Sequence, residues 1–174
     1  VNEVIQPVLC KELIHFLLAL INRREKELKM VKKRTEDPWM SASEYGQGLR
    51  GMGVNLLVKD IKRSVAFQVE VLGVEAVYSD PDFAVLRGYG SEWMLHADHT
   101  YSDHPIYGSL TEEVPRGLGA ELRLHGCDPD VAEAKARSRN DTILAGVMNK
   151  PHGLREAYII DPDGYIWVPD VKSL

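Results

Sequence analysis

One pattern occurs twice in this chain and restricts its fold more than any other feature: a strand of alternating apolar residues, an aspartate, a short helix, then three further strands. In the first copy Val54, Leu56 and Val58 alternate with Gly53, Asn55 and Leu57, the period of a strand with one face on a core. Asp60 stands where its carboxylate can cap a helix over Ile61–Leu72, and Gly73 ends that helix. Strands are predicted at Val74–Ser79, Phe83–Arg87 and Glu92–Asp98, punctuated by Asp80, Pro81 and Asp82 and by Gly88, Tyr89 and Gly90. The second copy runs through a strand at Ala120–His125, a capping Asp128 or Asp130, a helix at Val131–Ser138, and strands at Thr142–Met148, Arg155–Ile160 and Tyr165–Val171. Its last two strands flank Asp161-Pro162-Asp163-Gly164, the chemistry of a tight hairpin turn. Two βαβββ units amount to an internal duplication of pattern, and they make this an α+β chain.

At 174 residues, 44% hydrophobic and 27% charged, the chain has enough apolar material for one buried domain of about 51–174, with modules near 52–105 and 118–174, plus an appendage over 1–50. The net charge of -5, and a basic stretch from Arg23 to Arg34 that Glu25 and Glu27 interrupt, argue against nucleic acid as a partner. Leu13–Ile21 is shorter than the ~20 residues a membrane-spanning helix needs, and no signal-peptide cleavage pattern follows it, so no membrane is expected. Cys10 and Cys127 have no metal-type spacing and no disulfide framework, which suits a reducing cytoplasm. Val8–Lys33 contains neither Gly nor Pro, and Leu13, Leu17, Leu20, Leu28 and Val31 fall near one face. That predicts an N-terminal helix packed on the domain or on a second copy in a homodimer. From Thr35 to Gly53 the chain reads as a Gly-rich linker.

The run Asn55-Leu-Leu-Val-Lys-Asp60, with Ser64-Val-Ala-Phe67, Val71-Leu-Gly73 and the Tyr158–Val168 hairpin, resembles the vicinal oxygen chelate superfamily, which includes glyoxalase I, bleomycin-resistance proteins and extradiol dioxygenases. The resemblance covers about Met52–Leu174 and implies a curled, cup-shaped mixed sheet that holds the site. It also implies four metal-ligand positions, which here are Gly53, His96, Glu121 and Val168. Only His96 and Glu121 can bind a metal, whereas a divalent ion usually needs three protein ligands. The expectation is therefore no metal, or a divalent metal on His96 and Glu121 with further ligands from elsewhere.

Strand parity assigns side chains to the cup. Glu121, Arg123 and His125 face it while Ala120, Leu122 and Leu124 meet the helices; Glu92, Met94, His96 and Asp98 face it while Trp93, Leu95 and Ala97 do not. The first and last strands add Gly53, Asn55 and Leu57, and Ile166, Val168 and Asp170. His96 and Glu121 form the candidate proton-transfer pair. Asn55, Met94, Asp98, Arg123, His125, His152 and Asp170 are candidate ligand contacts, with Arg123 suited to an anion or carbonyl. A structural ion pair of Arg123 with Glu121 or Asp98 is the competing reading. His99 and His104 sit in a loop that reads as surface, lid or metal site, and Arg155 either joins His152 at the cup mouth or ties its strand to Asp161 or Asp163.

No glycine-rich phosphate loop, Gly-x-Ser-x-Gly elbow or Cys-x-x-Cys pair occurs. The first expectation is a small-molecule binder that works without metal, and the histidines and Arg123 argue against a cationic drug as its ligand. A metal-dependent lyase, isomerase or dioxygenase acting on a carbonyl or aromatic substrate is the second. A scaffold working through the N-terminal helix is the third.

Overall fold

A computed structural model of the chain describes residues 32–110 and 116–173. The elements are α1 (Ala42–Gly48), β1 (Asn55–Val58), α2 (Ile61–Leu72), β2 (Glu75–Ser79), β3 (Phe83–Gly88), β4 (Ser91–Ala97), β5 (Leu122–His125), α3 (Pro129–Ser138), β6 (Thr142–Asn149), β7 (Leu154–Ile160) and β8 (Ile166–Lys172). Two 3-10 turns, Asp98–Tyr101 and Pro105–Ser109, follow β4. The strands make two four-stranded mixed sheets of identical topology, β1-β4-β3-β2 and β5-β8-β7-β6, each with its first strand parallel to its last. The duplication read from the pattern is thus a duplication of architecture.

Local chemistry sets the helix ends. The Asp60 carboxylate accepts from the Arg63 amide, and Gly73 closes α2 at φ 70, a left-handed conformation that a Cβ disfavours. Of the two candidate caps for the second helix, Asp128 is used: it accepts from the amides of Asp130 and Val131. Pro129 then fills the first helical position, where its missing N–H costs nothing.

The helices lie on one face of each sheet, α2 on β2–β4 and α3 on β6–β8, and they touch each other. One core therefore runs through both modules, from Phe67, Leu86 and Leu95 to Ile159 and Trp167, and the Trp93 and Trp167 rings meet in it at 5.5 Å. A buried carboxylate clasps the modules together. Asp163, in the turn between β7 and β8, accepts from the Ser64 hydroxyl at 2.7 Å and the Lys59 amide at 2.9 Å, and it pairs with Arg63 at 3.3 Å. Beside it Arg116 donates to the Leu57 carbonyl and grips Asp98 through two bonds of 2.5 and 2.7 Å.

Two sequence expectations need correction. The 35–53 stretch is not all linker: Ser41 and Glu44 form a reciprocal capping box that starts α1. Arg155 pairs with Asp130, at 2.5 and 2.7 Å, rather than with Asp161 or Asp163. It shares the helix-facing side of β7 with the buried Ala157 and Ile159, so its guanidinium reaches the start of α3. The N-terminal helix expected at Val8–Lys33 lies outside the described residues but for Lys32 and Lys33, which are not helical. No helix among the described residues is long and apolar enough to cross a membrane.

Candidate functional site

Strand alternation sends the side chains not used in the core to the opposite face of the first sheet, where register aligns them. Phe83 is paired with His96, Val85 with Met94, Asn55 with Met94 and Leu57 with His96. Over this face the chain builds a pocket of about 560 Å³, within the range of small-molecule sites. Its roof is the stretch before and through α1, which contributes Pro38, Trp39, Met40, Tyr45 and Leu49; its far wall is the pair of 3-10 turns, with Thr100, Tyr101 and His104. Every lining residue lies between Lys32 and His104, so the pocket belongs to the first module and its flanking segments.

The roof is held by specific bonds. The buried Asp82 carboxylate accepts from the Lys33 amide at 2.7 Å and the Arg34 amide at 3.2 Å, and it is bonded to His99 Nε2 at 2.8 Å. Burial alone would raise this carboxyl; the bond from His99 and those two amides outweigh it and hold Asp82 below the usual carboxylate range. His99 is therefore a support of the roof. Trp39 stacks on Tyr78 at 5.7 Å with ring planes 13° apart, and Tyr45 meets Phe83 edge-on at 5.7 Å. The Tyr45 hydroxyl donates to Glu92 at 3.1 Å; burial, then Glu92, pushes its pKa up to about 12, so it stays neutral.

Polar groups inside are few. His96 lies between Phe83, at 4.6 Å, and Tyr101, at 5.3 Å between ring centres. Its Nδ1 is 2.6 Å from the Asn55 side-chain oxygen, and the Asn55 amide nitrogen donates to the Tyr101 hydroxyl at 2.7 Å. Burial of the ring lowers the His96 pKa to about 4, against an opposing pull from Asp80. At neutral pH the imidazole is uncharged, and its Nε2 has no hydrogen-bond partner among the described residues.

The equivalent face of the second sheet is ionic. Arg123 on β5 bonds Glu121 at 3.0 Å, Asp170 at 3.1 Å and, more closely, Glu156. Glu156 and Asp170 are buried, and Glu156 also accepts from the Tyr158 hydroxyl at 2.6 Å, with Lys150 and His152 each 3.5 Å away. Burial would raise the Glu156 carboxyl; bonds from Tyr158 and Arg123 prevail and hold it at about 2. His125 reaches Asp170 at 2.8 Å.

No protein-family model and no curated protein matches the chain. Solved structures do. TioX from Micromonospora sp. ML1 is 21% identical with a TM-score of 0.52, the match covering 72% of this chain and 98% of that one. A glyoxalase/bleomycin resistance protein/dioxygenase from Nocardioides is 23% identical at 0.53, covering 75% and 91%. A glyoxalase/bleomycin resistance protein/dioxygenase family enzyme from Burkholderia phytofirmans PsJN is 16% identical at 0.58, covering 69% and 96%. The chain has the glyoxalase/bleomycin-resistance/dioxygenase fold. At these identities the likeness is one of architecture, as the resemblance to the vicinal oxygen chelate superfamily implied.

Within that fold the candidate residues fall into two sets. Asn55, Met94 and His96 share the first sheet's open face, and Met94 and His96 line the pocket. Glu121, Arg123, His125, His152 and Asp170 share the network on the second sheet. Among the described residues no hydrogen bond, ion pair or ring contact links the two sets, and the pocket lining includes His96 but not Glu121. Asp98 goes to neither, being held by Arg116 between the modules. Arg123 takes Glu121 as its partner, as the ion-pair reading anticipated, but not Asp98.

A glyoxalase-type metal does not fit these donors. Gly53 offers no side chain, Val168 is buried hydrocarbon, and Glu121 is bonded to Arg123. Among the described residues no three His, Cys, Asp or Glu side chains are grouped to hold an ion. Sequence reasoning missed Trp39, Tyr45, Phe83 and Tyr101 as pocket-lining residues, together with Tyr78 as the ring Trp39 stacks on and Asp82 as the roof's anchor. Ser41 and Glu44, a capping-box pair that begins two residues after Trp39, were the available signal that this stretch is ordered.

Proposed function

We propose that this protein binds a planar aromatic small molecule in the pocket over the first sheet and holds it without metal. The observation that carries this reading is the convergence of five rings, those of Trp39, Tyr45, Phe83, His96 and Tyr101, on one largely apolar cavity of about 560 Å³. Aromatic faces and edges gain roughly 0.5–1.5 kcal/mol per well-set pair beyond the area they bury, so such a lining favours flat rings over aliphatic ligands of equal size. Of the charged residues in the lining, Arg34 and Asp82 are already paired, Arg34 with Asp80 and Asp82 with His99 and two amides, which fits a neutral ligand. Asn55 fixes His96 Nδ1 and two aromatic rings pack near the imidazole, which leaves Nε2 as the atom that meets a ligand.

Naphthalene is a suitable probe. Its binding should quench and shift Trp39 fluorescence, and Trp39→Ala should weaken it about tenfold while leaving the far-ultraviolet dichroism unchanged, since Trp39 is 43% exposed and outside the core. Cyclohexane binding as tightly as naphthalene, or the failure of every aromatic probe to bind, would overturn the reading. The homodimer suggested by the apolar residues at 13–21 belongs to the same proposal and is checked by sedimentation of the full chain.

A further inference from the structure

We infer that the pocket is built for a hydroxyarene, whose hydroxyl sits between His96 Nε2 and the Tyr101 hydroxyl. This rests on the aromatic-ligand reading above and names the polar group that such a ligand carries.

The inference follows from where the hydrogens are committed. Asn55 bridges the two residues, its side-chain oxygen 2.6 Å from His96 Nδ1 and its nitrogen 2.7 Å from the Tyr101 hydroxyl. A carboxamide oxygen accepts only, so His96 Nδ1 carries the proton and donates, which leaves Nε2 as a bare acceptor. The amide nitrogen donates only, so the Tyr101 oxygen accepts and its own O–H remains to be given. Two neighbouring groups, with rings 5.3 Å apart, therefore show the ligand one acceptor and one donor. Turning the Asn55 amide over exchanges the two roles and again leaves one of each.

A hydroxyl is the group that satisfies both from a single atom: its hydrogen goes to one and its lone pair receives from the other. A carboxylate has no proton to give, and an ammonium has no lone pair, so either would leave one site unmet at a cost of about 1–3 kcal/mol. Phe83 packs on His96 at 4.6 Å, and Trp39, Tyr45 and Met94 complete the apolar walls where the ring carrying that hydroxyl is placed. Burial keeps the imidazole neutral, which preserves its acceptor across the physiological range. A purely hydrocarbon ligand would strip water from Nε2 and the tyrosine hydroxyl and return nothing.

The test compares naphthalene, 1-naphthol and 1-methoxynaphthalene by Trp fluorescence or calorimetry at pH 7 on the full chain. Water solvates naphthol better than naphthalene, so partition into a featureless apolar pocket would rank naphthol weakest. The inference expects 1-naphthol to bind at least about tenfold more tightly than the other two. It further expects His96→Phe and Tyr101→Phe each to bring the ratio of 1-naphthol to naphthalene affinity down to about one, whatever happens to absolute affinity at these lining positions; two variants are used because either may perturb packing alone. Naphthalene binding with no naphthol preference, or a preference that survives both variants, would overturn this inference and leave the aromatic-ligand reading standing. Failure of all three probes to bind would overturn both.

Discussion

A neutral, packed His96 has a thermodynamic consequence that can be measured without knowing any ligand. Its pKa is lowered from the ordinary 6.5 to about 4 in the fold, burial being the main cause. A group whose folded pKa is depressed gives its full stabilisation above the unfolded value and loses it as pH falls toward the folded value. The window is therefore pH 6.5 down to 4. At pH 4.5 about two pKa units of difference have opened, each worth ~1.4 kcal/mol; allowing for water at the pocket mouth, the proton taken up by the unfolded chain costs roughly 2 kcal/mol of stability. Urea unfolding of the parent and of His96→Phe at pH 7.5 and 4.5 isolates this term. Phenylalanine keeps the contact with Phe83 and forfeits the bond to Asn55, an offset common to both pH values. The parent should lose roughly 2 kcal/mol more than the variant on acidification, the carboxylates cancelling between them. Equal losses would refute the argument, because they would mean that His96 accepts its proton in the fold as readily as in the open chain.

Asp163→Asn should destabilise the chain by about 3 kcal/mol, since it takes the charge from a buried carboxylate serving Ser64, Lys59 and Arg63 and leaves Arg116 nearby; a urea-midpoint change worth under about 1 kcal/mol would contradict the clasp. Glu156→Gln should flatten the acid limb of the stability curve: the parent's carboxyl, held at about 2 in the fold, stabilises fully above its ordinary 4.5 and loses that contribution as pH falls toward 2, whereas the amide has no proton to exchange. Gly117→Ala should lower the thermal midpoint by several degrees, corresponding to ~2 kcal/mol, because φ there is 70 and a new Cβ would stand 2.6 Å from the Tyr165 ring; an unchanged midpoint would show that Tyr165, whose hydroxyl bonds the Leu57 carbonyl, can step aside freely.

Much of the architecture was legible in the amino-acid order. The strand periods, the aspartate caps at positions 60 and 128, the terminating Gly73 and the Asp161–Gly164 turn are local instructions, decided by contacts within a few residues, and each element they predict is present to within a few positions. Strand parity assigned Asn55, Met94, His96, Glu121, Arg123, His125 and Asp170 to a single cup; alternation about a pleat, a property of the chain itself, does give the first three a common face on one sheet and Arg123, His125 and Asp170 a common face on the other. What parity cannot carry is the relation between faces. Two sheets of the same pattern can be set against each other in several ways, and packing their helices into one core fixed which open face would meet which neighbour. The pocket's roof is a matter of the same kind. Trp39 and Tyr45 lie in a glycine-spaced stretch with little periodicity, and they become ligand walls only because Asp82, almost fifty residues on, presents its carboxylate to the Lys33 and Arg34 amides. Sequence alone thus determined the two repeating units and the direction of their side chains; the tertiary structure decided that His96 would look into an aromatic cavity and Glu121 into a guanidinium, since long-range burial and charge pairing choose among surfaces that local chemistry leaves equivalent.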